Sequence, residues 1–551
     1  MPEGASYENY GHIATSAIAK QEQNLQTYYN VMRGRFTDVY NHYNLAYSII
    51  APKDYPAYRP PTARDLPESL TGALTPQDYT VDVLPFTKKS GKEQSFKQSA
   101  SLAGFHKTNL KRLDDSTNFS LLGEYIKNLI LYGMTSFKGP FVNKEWVNEP
   151  EDEDEKERWM AWRQTASPFS LYVVDPLNLL PDPVVFAGGK PNYIIESYDV
   201  LSASVAFQFP NTYFPTDEDR NNPIKKVKFI VYWDLEKQVY LADGIVVHED
   251  ENPYNFIPYD IRFSGLGKNS PYGDPEDKAT GIMWPILPSI RMEAQFMTML
   301  NTVTMIDGVP PMRASKALEG EPIDMTPGAV NYLDEPLEPL FTQRMQAGKE
   351  IFDGLALVDR QIERSTFGRS LTGQRQPGVG SGYHFSMIIA QSKKKFSSLV
   401  KSAELAWSTV AARCADITEN LIEEDVNEEI KWDKIKGYYK NTVKFDIADP
   451  EELNTNIEKI LKLQGVLSNR TLLDTFPVVQ VPDDEPEQKL LEKAMNTDVV
   501  IGRTAEQISG QSGAEAQQKT QGLPKMQPFT PSPFQQRASN QQRTPVEETE
   551  L

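Results

Sequence analysis

Residues Phe385 to Glu424 read FSMIIAQSKKKFSSLVKSAELAWSTVAARCADITENLIEE. Within them Phe385, Ile389, Phe396, Leu399, Ala403, Ala406, Val410, Cys414, Ile417 and Leu421 recur mostly at steps of three and four. That spacing places one apolar stripe along a single helix. Some forty residues make a rod roughly 60 Å long. A rod of that length exceeds one compact domain, so the stripe is expected to pack partly on neighbouring subunits. Just before it, Phe367 to Tyr383 carries Gly368, Gly373, Gly378, Gly380 and Gly382 and few residues able to anchor it in a core. It is expected to be a mobile loop joining two helices.

Working outward, a second helix is predicted from about Met345 to Ser365. Before it lies a segment broken by Pro310, Pro311, Gly320, Pro322, Pro327 and Gly328, with a strand expected near Ala329 to Tyr332. Another helix is expected from Gly273-Asp274-Pro275 to about Met305. Between Ser170 and Gly265 the period changes to two. Leu171 to Val174, Tyr193 to Ile195, Val227 to Trp233, Val239 to Leu241 and Ile245 to Val247 read as strands, with turns at Asp234 to Lys237 and Asp243-Gly244. No long helix separates them, so this part is expected to be an antiparallel α+β region.

Towards the N-terminus, Ile18, Leu25, Tyr29, Met32, Phe36, Val39, Tyr43 and Tyr47 predict a helix over about Ser16 to Tyr47, followed by a proline-broken stretch from Pro52 to Pro67. A later stripe, Leu121 to Ile130, predicts a helix capped by Asp115 or Ser116 and stopped by Gly133. Further strands are expected near Glu429 to Trp432 and Val443 to Phe445. Asp449-Pro450-Glu451-Glu452 opens a helical terminal unit that Gly465 interrupts. From about Arg503 the chain is Gln, Pro, Ser and Thr with few large apolar residues and is expected to be disordered.

Composition bounds the function. The 551 residues are 39% hydrophobic, enough for two to four packed units. Lys and Arg number 57 against 76 Asp and Glu, a net charge of −19 that argues against a whole-surface grip on DNA or anionic lipid. Cys414 is the single cysteine, which excludes an internal disulfide and cysteine-based zinc motifs. Met1-Pro2-Glu3-Gly4 lacks the pattern of a signal peptide, and no apolar run reaches membrane-spanning length, so a soluble chain with no membrane partner is expected.

The candidate chemistry is sparse. Gly368 to Arg375 has P-loop glycine spacing, but Gln374 and Arg375 stand where Lys and Ser or Thr must hold phosphate and magnesium. The five histidines (His12, His42, His106, His248 and His384) show no metal-ligand spacing. The acidic run Glu149 to Glu157 has no turn glycine for a calcium loop and reads as an exposed loop or helix start. The basic residues between Lys88 and Arg112 lack interleaved aromatics and read as a solvated loop and helix face. No catalytic residue, cofactor or metal is called for.

The order helix, broken insert, helix, glycine-rich loop, very long helix and helical cap resembles the portal (head-to-tail connector) proteins of tailed bacteriophages. The residues that carry the resemblance are Asn252-Pro253-Tyr254 through Ile257-Pro258-Tyr259, Gly267 through Pro275, and Gly308-Val309-Pro310-Pro311. Gly380-Ser381-Gly382, Asp449 to Glu452, Gln464 to Ser468, and Asp175 to Asn178 with Asp182-Pro183 add to it. It covers roughly Ser16 to Asn496.

The resemblance implies an α+β ring subunit. Its wing would be 1–273 with the long helix and wing closure at 384–448, and its stem helices 274–305 and 345–366. The clip would be 306–344, the tunnel loop 367–383, the crown 449–502 and the disordered tail 503–551. It implies a dodecameric self-assembly at one capsid vertex of the virion, built in the host cytoplasm and passing double-stranded DNA. The partners would be the terminase large subunit, the major capsid protein, a tail adaptor protein and a scaffolding protein. An acidic conduit lets a polyanion slide, because each lysine on a phosphate adds an affinity to be broken at every step. Glu350, Asp353, Asp359 and Glu363 are the channel-lining candidates; Arg369, Gln374, Arg375 and Gln376 are the tunnel-loop candidates. The alternatives are another non-enzymatic virion component, such as a tail or baseplate adaptor, and an enzyme whose site has no sequence signature.

If the loop touches DNA, Arg369→Ala with Arg375→Ala should leave folding and assembly unchanged and alter DNA packaging or retention. Packaged-DNA content and infectivity of the double variant are the measurements; normal values for both would remove the loop from DNA handling.

Overall fold

The computed structural model describes residues 13–51, 55–76, 78–84, 92–214, 222, 224–308, 312–315, 330–333, 338–339, 346–365, 394–421, 437 and 439–446, all within one unit, Met1–Leu453. The N-terminal stripe folds as α1 (Ile18–Tyr28) and α2 (Asn30–Tyr43). Tyr29 lies between them, but the ladder runs on: its N–H donates to Leu25 O at 2.9 Å and its carbonyl accepts from Arg33 at 2.8 Å. The predicted helix is therefore one bent rod, with buried Tyr29 donating its hydroxyl to Pro181 O at 2.8 Å. The proline-broken stretch ends sooner than expected, since α3 (Thr62–Leu74) contains Pro67 in its second turn. Pro67 forfeits one ladder bond there and is buried.

After β1 (Asp78–Asp82), α4 (Lys92–Asp115) continues through the residue expected to cap its successor. The cap of α5 (Leu121–Tyr132) is Ser120 instead, whose Oγ accepts from Gly123 N–H at 3.1 Å. Asp114 accepts from Leu121 N–H at 2.8 Å. Gly133 ends α5 in the left-handed region, at φ 74°, as its position predicts.

Next come β2 (Met134–Val142), α6 (Lys144–Val147), α7 (Glu153–Arg163), β3 (Phe169–Val174), β4 (Leu179–Pro181) and β5 (Tyr193–Leu201). They are followed by α8 (Ser202–Gln208), β6 (Lys226–Asp234), β7 (Lys237–Ala242), β8 (Ile245–Glu251) and β9 (Tyr259–Phe263). Two antiparallel sheets result, ordered β3-β2-β9 and β4-β5-β6-β7-β8. The acidic run is the exposed start of α7, where Asp152 accepts from Asp154 N–H at 2.9 Å. The basic segment uses two of its cations internally: Lys107 pairs with Asp78 at 3.3 Å and Arg112 donates to Gln164 O at 2.9 Å.

Beyond the sheets lie α9 (Pro275–Lys278), α10 (Leu287–Gly308), β10 (Met312–Ser315), β11 (Val330–Leu333) and β12 (Glu338–Pro339). The last described elements are α11 (Gln346–Ser365), α12 (Ser397–Leu421) and β13 (Thr442–Asp446). The helix expected over 274–305 is thus interrupted, because Pro285 and Pro288 lack the N–H groups a helix interior needs. Both prolines fall in or just before the first turn of α10, where no donor is required.

The stripe on α12 goes to the chain's own core. Phe396, Leu399, Ala403, Ala406, Val410, Cys414 and Ile417 are all buried, packed with α4, α5, β2, β9 and β13. Over this length every stripe residue is taken up by the chain's own core. Phe385 and Ile389 lie outside the described residues. Trp407 sits 5.3 Å from the Phe137 ring, which stacks on Tyr125 at 4.2 Å. Polar stitches fix the register: Ser402 Oγ donates to Phe263 O at 2.7 Å, and Phe445 N–H donates to Glu404 at 3.1 Å. β13 then pairs antiparallel with β1.

His106 on α4 is fully buried where α4 meets α12, and burial pushes its pKa down to about 4, partly offset by the Ala411 backbone. The unfolded chain takes up this proton near pH ~6.5, the folded chain only near 4. Stability is therefore complete above about pH 6.5 and lost as pH falls towards 4, by on the order of 3 kcal/mol in full. His106→Phe should abolish that share of the acid sensitivity; urea unfolding of both chains near neutral pH and near pH ~4.5 measures it.

Candidate functional site

α10 and α11 pack antiparallel as a helical hairpin. The Phe296 ring rests on Gly354, where an added Cβ would come within 2.9 Å, and Ser289 Oγ reaches Gln361 Oε1 at 3.5 Å. Between the two helices the chain forms a small sheet ordered β11-β10-β12, parallel on one side and antiparallel on the other. The hairpin's first helix is bolted to the N-terminal segment. Gln295 Nε2 donates to Ile50 O at 2.8 Å, Thr298 Oγ1 accepts from Tyr58 N–H at 3.0 Å, and Thr62 Oγ1 donates to Glu293 at 2.8 Å. Burial, with Asp359 opposite on α11, holds the Glu293 carboxyl above its ordinary pKa.

The joint between hairpin and body is a crossing of backbones. The Ile282 N–H donates to Ile130 O at 2.8 Å, the Ser264 N–H to Gly133 O at 2.9 Å, and the Lys268 N–H to Asp277 O at 2.8 Å. Three glycines permit it. An added Cβ would lie 2.1 Å from the Thr280 carbonyl carbon at Gly133, 2.3 Å from Leu131 O at Gly281, and 2.3 Å from Asp277 O at Gly267. Gly267 through Pro275, singled out in the sequence for its resemblance, is therefore the strap that closes over this joint.

The four acidic candidates all fall on α11, on two flanks. Ile351, Val358 and Ile362 form its buried edge. At roughly 100° per residue, Glu350 and Asp353 lie to one side of that edge and Asp359 and Glu363 to the other. Glu350 and Asp353 are exposed; Asp359 and Glu363 are half-buried. The exposed flanks also carry Phe352 (58% exposed), Leu357 (60%), Arg360 and Arg364. The four do not make a single acidic face, which a period of 3.6 already forbids for spacings of three, six and four. Arg369, Gln374, Arg375 and Gln376 lie outside the described residues, as do the segments assigned to the crown and tail.

Cys414 is a core residue whose thiol burial pushes well up, out of the range of a reactive nucleophile. A surface cavity of about 200 Å³ between α2, α5 and β3 is walled by Tyr40, Tyr43 and Tyr132 with Glu124, Lys127 and Asp175. Its lysine pairs with Glu124 at 2.7 Å, and it holds no nucleophile–base pair. Among the described residues no cluster of three or more metal-ligating side chains occurs, and no helix is long and apolar enough to cross a membrane. No protein-family model matches the chain, and no curated protein matches it in sequence.

Gly133 and Gly188 share a positive φ, 74° and 83°, but only Gly133 is crowded by another backbone. Gly188→Ala should cost about 1 kcal/mol of left-handed strain. Gly133→Ala should cost on the order of 2 kcal/mol more, because backbone must shift. Urea midpoints of the two variants measure the difference, and equal midpoints would show that the crossing does not fix the joint.

Proposed function

We propose that the chain is the subunit of a portal ring, a non-enzymatic conduit for genome packaging and ejection at one vertex of a bacteriophage capsid. The single observation that carries this reading is the helical hairpin enclosing a small sheet, joined to a mixed helix-and-sheet body and followed in the chain by a long core helix. That order is the one the sequence motifs resemble, and a hairpin of this kind serves as the stem of a ring with the small sheet as its clip.

The charge distribution supports the same reading. With a net charge of −19, a ring of these subunits repels DNA at long range and offers few phosphate anchors. In such a ring only one flank of α11 faces the axis, so the lining takes either Glu350 with Asp353 or Asp359 with Glu363. The exposed pair, Glu350 and Asp353, fits the lining better, since Asp359 is turned towards Glu293 of α10. In the same reading the terminase large subunit docks on the clip, the capsid protein surrounds the body, and the DNA touches the loop 367–383.

The test is direct. Purified full-length chain should form closed rings with a central hole in electron micrographs, with a sedimentation mass near twelve times 62.3 kDa. A stable monomer of 62.3 kDa across a range of salt concentrations would overturn the reading.

A further inference from the structure

His42 on α2 is fully buried, and both of its ring nitrogens are committed. Nδ1 lies 2.7 Å from the Asp38 carbonyl, which can only accept, so Nδ1 carries the proton. Nε2 lies 2.9 Å from Arg291 Nε, and a guanidinium has only N–H groups to offer, so Nε2 is the bare acceptor. Together the two contacts allow one neutral tautomer and no other state. Arg291 belongs to α10, so this hydrogen bond ties the body to the first helix of the hairpin. The same guanidinium donates through Nη2 to both Asp38 carboxylate oxygens at 2.6 Å. Tyr47 closes the site from the other side, its ring stacked on His42 at 4.3 Å.

A proton added to Nε2 would remove the acceptor and set two cations face to face, His42 buried and Arg291 half-exposed. Asp38 opposes this twice: its backbone carbonyl, bonded to Nδ1 at 2.7 Å, and its carboxylate, 3.4 Å from Nδ1, both favour a charged imidazole. Asp38 is already engaged by Arg291 and is about one-third exposed, which weakens its pull. The remaining charged groups around the site are Arg59, which donates to Tyr47 O at 2.8 Å, and Glu293 on α10, which faces Tyr47 and has Asp359 of α11 beyond it. Burial is the largest influence on His42. With Arg291 it draws the pKa below the ordinary histidine value in spite of Asp38.

We propose that His42, Asp38 and Arg291 form an acid-weakened clasp: neutral His42 accepts from Arg291 and helps hold the base of α10, and protonated His42 gives up that bond, leaving the Asp38–Arg291 ion pair as the remaining tie at this point. The opened form binds the proton more readily than the closed one, so the clasp is complete above about pH 6.5 and weakens as pH falls below it. The contacts of Gln295 and Thr298 further along α10 do not titrate, so release loosens the helix base and leaves the hairpin attached. The clasp does not depend on what the hairpin encloses, and its test is separate from that of the ring.

Hydrogen exchange of the full-length chain, corrected for the intrinsic pH dependence, reads it directly. Between about pH 7.5 and about pH 5, protection over residues 287–294 and 38–43 should fall, in the direction set by the lowered pKa of His42. In His42→Gln the amide oxygen can still accept from Arg291 but cannot titrate, so the fall should vanish while Glu293 is untouched. Arg291→Gln should also flatten the profile, at lower protection throughout. Exchange at the His42 ring C2 position in the wild-type chain gives the titration midpoint without any substitution, and it should lie below about 6.5. A midpoint at or above that value, no fall in the wild-type chain, or an equal fall in His42→Gln would each overturn the proposal.

Discussion

Arg413 is part-buried on the helix Ser397–Leu421, and its charge is met where it lies. Nη1 donates to Gly139 O at 3.3 Å, Nη2 donates to Tyr259 O at 3.0 Å, and the guanidinium rests 4.6 Å from the centre of the Phe256 ring. Burial lowers its pKa from the usual arginine value, against the pull of Asp260. Withdrawing this charge from water favours partners for it, and β2 and β9 present those two carbonyls to the helix. The helix can enter the core in one register only. Arg262 repeats the device at the surface of the same contact, paired with Asp260 at 2.9 and 3.0 Å and donating to Thr409 at 2.9 Å.

From that register the rest of the body follows. With β2 and β9 held, Lys138 on β2 reaches Glu196 of the larger sheet at 2.6 Å, and Tyr259 on β9 donates to the same carboxylate oxygen at 2.9 Å. The two sheets are thereby coupled through one anion. The C-terminus of α5, which leads directly into β2, then meets the segment Thr280–Gly281 closely enough that only glycine fits at Gly133 and Gly281, while Gly267 is crowded by the Asp277 and Lys278 backbone. The hairpin leaves the body from this crossing, so its direction is set by backbone contact, which is far stiffer than side-chain packing.

The connector proposed above would have to be rigid at its joints and inert along its bore, and the chain's charges are divided between internal links and exposed surface. Its buried carboxylates Glu196 and Glu22, the latter paired with exposed Lys228 at 2.7 Å, and part-buried Arg413 are spent on internal links. Its surplus acid is spread over exposed helices such as α7 and α11. The absence of a shared acidic face on α11 means that any smooth lining comes from repetition around a ring, since one hairpin does not supply it.

Periodicity alone located the N-terminal helix, α5, α10, α11, α12 and five of the strands between Ser170 and Gly265, but not β4 or β9, because half-buried strands and amphipathic helices write their burial pattern directly into neighbouring residues. The core stripe from Phe396 to Ile417 was legible for the same reason, as were Gly133 as a stop and Cys414 as a core residue. Three things were not legible. β1 and β13 pair across more than 350 residues, and β2, interrupted by Gly139-Pro140, shows no clean alternation. The partners of the stripe over Phe396 to Ile417 were not legible either, because length states how much surface must be covered and is silent on which segments cover it. The joint glycines and the His42–Arg291 contact depend on two distant backbones arriving at one place. The sequence determines which faces are apolar, which residues can turn and which carry charge. Only the tertiary structure decides which of them meet, because a contact between remote residues is set by the packing of everything between them.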